Sequence, residues 1–293
     1  MARHGVAVGS PLPTGGRRPR AGPAGPPLPV VSCTGVPITA CDPGVAARVV
    51  CAQAAGPSVS GVDVHLCNAY TLALADRDPA LHSLLRRAAL NLPDGKAVVW
   101  ANQLTHRDRR LTADRVYGPD LFRAVFRLGQ PLRLRHYLLG CTEPVLAALQ
   151  ERLHADYPDA LVVGLDSPPF RPLSDPERRA QTDRIRRSGA QLVWVGLGTP
   201  KQDWEAARLA AELPVVAVAV GAAFELVAGT KRQAPLWMQR NGLEWGFRLA
   251  QEPRRLWRRY LFGNARFLAA VLRAHRRRVA AVTPDRRAAG PDG

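Results

Sequence analysis

Short apolar runs alternate with longer amphipathic stretches through residues 31–235. Runs rich in Val and Leu at 62–66, 134–139, 161–163, 192–195 and 215–220 predict buried strands. Between them, 79–90, 119–128, 144–155, 175–188 and 202–211 carry apolar residues at helical spacing. Pro79, Pro119 and Pro144 open three of these helices, where a missing N–H costs no hydrogen bond. This alternation predicts an α/β fold, a Rossmann-like, mostly parallel sheet with flanking helices. No internal repeat of fixed period interrupts it. Residues 91–95, NLPDG, read as a turn between two helical stretches.

After Gly229 the pattern changes. Residues 236–278 are rich in Trp and Arg, hold only Glu244 and Glu252 as acids, and predict two or three basic amphipathic helices appended to the core. Residues 279–293 read as a disordered tail. Residues 1–30 contain thirteen Gly or Pro and no apolar h-region, which reads as a disordered extension rather than a secretory signal. The organisation is therefore 1–30 extension, 31–235 core, 236–278 appendage and 279–293 tail.

Charge sharpens this division. The chain of 293 residues carries a net charge of +17, with four Arg and no acid in 1–30 and eleven Arg against two Asp in 253–293, so the span 31–252 keeps only +4. A 46% hydrophobic composition excludes a disordered polyelectrolyte, and the absence of an eighteen-residue uncharged apolar run excludes a membrane span. Five Cys without a CxxC pair argue against structural zinc or a disulfide framework, and fit packing as small hydrophobes in a reducing cytoplasm.

Two Gly-rich segments follow predicted strands. In 193–202, VWVGLGTPKQ, Gly196 and Gly198 let backbone approach a ligand, and N–H groups of the turn and the next helix would face a phosphate. Thr199, Lys201 and Gln202 add donors and a cation. The segment is neither GxGxxG nor a Walker A loop, so a plain tight connection is the competing reading. In 219–235, AVGAAFELVAGTKRQAP, Gly221 and Phe224 follow the next strand and Lys231 and Arg232 could neutralise a diphosphate; taken alone, this is a solvated basic turn. Loops after adjacent parallel strands converge on one crevice, so the two can share a ligand.

Asp94, on the Pro-Asp-Gly turn, either bonds its own backbone or serves as a general base toward an acceptor hydroxyl. In 115–121, RVYGPDL, Asp120 is explained by the helix N-terminus and Arg115 is freer to meet a ligand. The DxD of Asp76 and Asp78 is better read with Asp78 as the N-cap before Pro79 than as a metal site. The seven His show no paired ligand spacing. In 242–260, GLEWGFRLAQEPRRLWRRY, Arg248, Arg255, Arg258 and Arg259 stand with Trp257, and Leu261 and Phe262 follow, which suits an anionic bilayer surface better than a nucleic-acid stripe or a solvated face.

In order and spacing these segments resemble the WecG/TagA/CpsF family of bacterial glycosyltransferases. The likeness runs from Val36 to Arg273 and includes Asn68, LPDG at 92–95, RVYGPDL at 115–121, VGLGTPKQ at 195–202, VGAAF at 220–224, RQAPLW at 232–237, GLEW at 242–245 and EPR at 252–254. It implies an inverting, metal-independent transfer of an N-acetylmannosamine or related sugar from a UDP donor to a polyprenyl-diphosphate-linked acceptor, at the cytoplasmic face of the membrane. It implies Asp94 as base, and by the Arg-x6-Arg-x2-Arg spacing Arg248, Arg255 and Arg258 as the grip on the lipid diphosphate. The donor set expected with it is Asn68, Arg115, Gly196, Gly198, Thr199, Lys201, Gln202, Gly221, Phe224 and Lys231. The family often carries Thr two residues before its Asn; Leu66 stands there in this chain, with Thr71 only a weak substitute.

The expected partners are thus the UDP-sugar, the polyprenyl-diphosphate-linked saccharide and an anionic membrane surface, with no cofactor, no metal and no nucleic acid. The competing classes are a basic nucleic-acid-binding α/β protein and a nucleotide-dependent oxidoreductase, and the missing GxGxxG argues against the latter.

Overall fold

A computed structural model of the chain describes residues 28–56, 60–106 and 114–282. The Gly/Pro-rich extension up to residue 27 and the tail from 283 lie outside the described residues. The α/β expectation holds. Strands β1 (Val30–Cys33) and β2 (Val36–Thr39) form an antiparallel hairpin; α1 (Pro43–Ala55) and β3 (Val62–Cys67) follow. Next come α2 (Ala69–Ala75), α3 (Pro79–Arg87), β4 (Leu90–Pro93), α4 (Lys96–His106) and α5 (Gly118–Gly129). The second half alternates regularly: β5 (Arg135–Gly140), α6 (Glu143–Asp156), β6 (Leu161–Asp166), α7 (Asp175–Ser188), β7 (Leu192–Gly196), α8 (Lys201–Glu212) and β8 (Val216–Ala219). Then follow α9 (Ala223–Val227), α10 (Leu236–Arg240), α11 (Glu244–Gln251) and α12 (Pro253–Val282).

Six parallel strands make one sheet in the order β4-β3-β8-β7-β5-β6. Alternation along each strand assigns its side chains to two cores. Val64, Leu66, Trp194 and Val218 face α1, α5, α6 and α9, while Val193, Val195, Ala217 and Ala219 face α7 and α8. A third cluster joins the hairpin, α2, α3 and α4 to Phe267 and Val271 of α12. The long C-terminal helix is therefore docked on the core by one apolar face.

Three sequence readings change. Residues 90–93 form the edge strand β4 rather than a turn, and the helix before it ends at Arg87 instead of 90. The β1–β2 hairpin, which turns through Thr34 and Gly35 at positive φ, is a further addition. Helix α12 continues to Val282, past residue 278 where the tail was placed. The β4 strand depends on a tertiary contact: buried Asn91 donates from Nδ2 to the carbonyls of Pro37 (2.9 Å) and Leu85 (2.7 Å). This ties the edge strand to the hairpin and α3. It puts Asp94 at the carboxyl end of a strand, beside the exit of β3 and on the same edge of the sheet as the loops that follow β8 and β7.

Candidate active site

Asn68 organises the centre of the carboxyl edge. As N-cap of α2, its Oδ1 accepts from the N–H of Tyr70 (3.0 Å) and Thr71 (3.1 Å) and from the Thr71 hydroxyl (3.3 Å). With Oδ1 so engaged, the amide is left to face the Asp94 carboxylate, whose charged form it favours. The Asp94 main chain is fixed as well: its N–H bonds the Cys67 carbonyl at 2.9 Å, and the Pro93 carbonyl accepts from Val116 N–H at 2.8 Å. Gly95 follows at φ +101°, a turn that a side chain would strain. Burial raises the Asp94 pKa to about 6, with Glu244 adding to the rise and Arg115, Arg248 and the Asn68 amide opposing it. A carboxylate poised near neutrality is a competent proton acceptor.

Around Asp94 the core meets the appendage. Glu244, at the start of α11, accepts from Arg115 Nη2 at 2.7 Å through Oε2 and from the Tyr117 hydroxyl at 3.0 Å through Oε1. Both ends of the ion pair are shielded, at 8% and 16% exposure. The Arg115 guanidinium also stacks 3.9 Å over the Tyr117 ring and donates to the Gln239 carbonyl at 3.3 Å. Arg115, expected as a donor ligand, thus works here as the core's latch on α10 and α11. Arg248, one turn after Glu244, is close enough to Glu244, Tyr117, Tyr260 and Asp94 to feel their charges.

The two Gly-rich loops lie on the other side. β5 leads outward through α6 to β6, while β7 leads inward through α8 to β8, so a crevice opens between their carboxyl ends. Gly140 and Gly196 pair across it, and a Cβ on Gly140 would lie 2.6 Å from the Gly196 backbone. The crevice is therefore walled by main chain. Gly198 has φ +77° with open space around it, Thr199 leads into α8, and Lys201 is exposed at its first turn. Gln202 is buried, its Oε1 lacks a partner, and it lies 3.5 Å from where a Gly221 Cβ would be. The two Gly-rich loops do converge. Phe224 is fully buried, with its ring against Gly196 and edge-on to Phe122, so it supports the loop from beneath and has no surface for a ligand. Lys231 bridges Glu225 of α9 and Glu252 at the C-cap of α11, each at 2.8 Å, which makes it a second latch.

Of the appendage arginines, Arg255 pairs with Glu252 at 2.6 Å and Arg258 is exposed, 5.1 Å over Trp257. Asp78 caps α3 and Asp76 pairs with Arg273 at 2.6 Å, which accounts for the DxD pattern. Among the described residues no group of three His, Cys, Asp or Glu is gathered as for a metal ion. All five cysteines are free, four of them buried.

The sequence profile of the glycosyl transferase WecG/TagA/CpsF family matches residues 31–281. The chain belongs to this family. Among its relatives, an N-acetylglucosaminyldiphosphoundecaprenol N-acetyl-beta-D-mannosaminyltransferase of Bacillus spizizenii is 30% identical over 203 residues, 69% of this chain and 75% of the relative. The enzyme of the same description from Bacillus subtilis is 29% identical over 210 residues, 71% and 77% of the two chains. As a WecG/TagA/CpsF glycosyltransferase, the protein has a carboxylate, two main-chain loops and an arginine-bearing appendage on one edge of the sheet. Glu244 is the member sequence reasoning missed; its only local signal is an acid in a basic segment. A separate cavity of about 310 Å³, lined by Arg135, Gly189 and Leu213, opens at the opposite, amino edge.

Proposed function

We propose that this glycosyltransferase moves an N-acetylhexosamine, N-acetylmannosamine or an N-acetylmannosaminuronic-acid-like sugar, from a UDP donor to a polyprenyl-diphosphate-linked acceptor by one inverting displacement that needs no metal. The relatives' names support the sugar and the lipid diphosphate. The observation that carries the mechanism is the Asn68–Asp94 pair at the carboxyl edge, across from the loops at Gly196 and Gly221.

In this reading the acceptor hydroxyl attacks the anomeric carbon, its proton passes to the Asp94 carboxylate, and the bond from that carbon to the UDP oxygen breaks with its electron pair on the diphosphate. N–H groups of the two loops and Lys201 would stabilise the leaving charge, the role of fixed dipoles in a site without a metal. The Asn68 amide, facing the carboxylate, orients the base.

The acceptor's lipid stays in the bilayer, and α12 is built to meet it there. Trp257, Leu261, Leu268 and Leu272 are all exposed and, at 3.6 residues per turn, fall within about 60° of one another. They lie away from the docked face of Leu256, Phe267, Ala270 and Val271, with Arg258 and Arg276 on the flank. An apolar stripe beside cations suits an anionic leaflet, where each basic side chain contributes roughly 1 kcal/mol, whereas a nucleic-acid backbone would meet the cations and leave the stripe uncovered. No helix among the described residues is long and apolar enough to cross a membrane. Peripheral attachment at the cytoplasmic face follows from this reading. Mass spectrometry of the products formed from candidate UDP-sugars and a short-chain prenyl-diphosphate N-acetylglucosamine tests it. A disaccharide-lipid product with inverted anomeric configuration is expected without added metal; no transfer from any UDP-sugar overturns it.

A further inference from the structure

Among the described residues the shielded cations have carboxylate partners, except Arg248 of α11 and Arg259 of α12. Arg115 has Glu244, Arg208 has Glu205 and Glu212, and Lys231 has Glu225 and Glu252. Arg259 of α12 has no carboxylate within ion-pair distance among the described residues. Its guanidinium lies 4.3 Å over the ring of Tyr70, and its Nε is buried with no hydrogen-bond partner. Tyr70 in turn is held by the Asn68 cap, and Gly263 presses α12 onto it so closely that a Cβ there would lie 3.0 Å from the ring. Arg259 is therefore set beside the catalytic cap, on a firm platform. Burial, and the like charges of Arg248 and Arg255, work against its proton, while the tyrosines favour it.

A shielded guanidinium beside two other cations is costly unless an anion completes the group. The forked N–H groups of Arg match phosphate oxygens, and a diphosphate carries enough charge to serve several arginines at once. Arg258, by contrast, points to the outer face over exposed Trp257. We propose that Arg259, not its neighbour Arg258, is the inward member of the cradle that Arg248 and Arg255 form for the acceptor's diphosphate. Arg258 acts at the bilayer side. This rests on the transferase reading above for the identity of the diphosphate's carrier.

The test is titration of the full chain with inorganic pyrophosphate, with UDP at saturation so that the donor site is filled, and with UDP alone. Kinetics then follow with short-chain prenyl-diphosphate N-acetylglucosamine. R259Q is expected to weaken pyrophosphate binding at least tenfold and to raise the acceptor KM, with UDP affinity within twofold of wild type. R259K should recover part of the loss, which a purely structural role would not predict, and limited proteolysis checks that the appendage stays docked in both. R258Q is expected to keep pyrophosphate affinity within about threefold and to bind phosphatidylglycerol vesicles less well. The proposal fails if R259Q binds pyrophosphate as wild type does, if R258Q takes the loss instead, or if R259Q weakens UDP and pyrophosphate alike. Loss of pyrophosphate binding in R259Q, in a protein that transfers no sugar, would leave the anion cradle standing and bring down the transferase reading alone.

Discussion

The two sides of the carboxyl edge are built from different materials. The side proposed for the donor is main chain: Gly140 packed on Gly196, the open turn at Gly198, Gln202 against Gly221, with the buried ring of Phe224 beneath Gly196. The side proposed for the acceptor is charge: Glu244 clasping Arg115 and Tyr117, Lys231 between two carboxylates, and three arginines of which only Arg255 has a carboxylate at ion-pair distance. Backbone walls supported by a core keep their shape without a ligand. A docked helical layer joined by ion pairs can lift away when those pairs are disturbed. The comparison teaches that the crevice proposed for the donor is preformed, whereas the half proposed for the acceptor depends on how the appendage sits.

The strongest way to break the comparison is at its hinge, Asp94. D94N keeps the shape and the Asn68 contact but cannot take a proton. Transfer is expected to fall by about 100- to 10,000-fold, the usual worth of a general base, with UDP affinity within a few-fold of wild type by calorimetry. A variant within a few-fold of wild-type turnover would remove Asp94 from the chemistry. Because burial lifts its pKa to about 6, the wild-type rate should climb with pH through that value as the carboxylate forms.

A smaller effect is expected from the latch. E244Q retains the hydrogen bonds in part but leaves Arg115, 8% exposed, without its counter-charge. Removing one partner of a shielded pair costs up to about 3–5 kcal/mol, and here the loss falls on appendage docking. Cleavage within α10 or α11 should quicken under limited proteolysis, the acceptor KM should rise and the donor KM should hold. Glu244 also helps raise the Asp94 pKa, so the acidic limb of the rate profile should move to lower pH in the variant. An unchanged limb and unchanged proteolysis would show that α11 is held by other contacts.

How far these regions were legible in the sequence follows the same division. Strands β7 and β8 are unmixed apolar runs whose Gly-rich exits could be read directly, and β3 and β5 carry enough Val and Leu to be read despite Asp63, His65, Arg135 and His136. β4 could not, because Asn91 and Pro93 break the apolar pattern; Asn91 is tolerated in the core only through the Pro37 and Leu85 carbonyls, a contact across 54 residues in one case. Asp94 therefore looked like turn chemistry until the family pattern gave it a role. Glu244 and Arg115 stand 129 residues apart, and nothing local pairs them. Arg258 and Arg259 differ by one position, which on a helix is about 100°; only the docked face of α12 tells which one turns inward. Lys231 looked like a phosphate ligand because its two carboxylates come from α9 and from the C-cap of α11.

Beneath the Gly-rich loop at the head of α8 lies a buried charged cluster, and it gives the smallest predicted effect. His65 of β3 is fully buried, with Nδ1 3.0 Å from Asp203 of α8 and Nε2 3.0 Å from Asp63. A carboxylate only accepts, so two such contacts require both ring nitrogens to carry protons. Burial opposes that charge, but the two carboxylates outweigh it and raise the His65 pKa to about 9. The unfolded imidazole titrates near 6.5, so the stabilisation is complete below that pH and is lost as pH rises through about 9. Its scale is a few kcal/mol at most, and for a chain of this size each kcal/mol moves Tm by about 2–4 °C. Wild-type Tm should therefore fall by several degrees between pH 6.5 and 9.5. H65N, which starts lower because it leaves two carboxylates facing a neutral amide, should lose most of that slope. Equal slopes in the two proteins would mean that the imidazolium does not tie α8 to β3, and that the Gly-rich loop at the head of α8 is held by its backbone and apolar contacts alone.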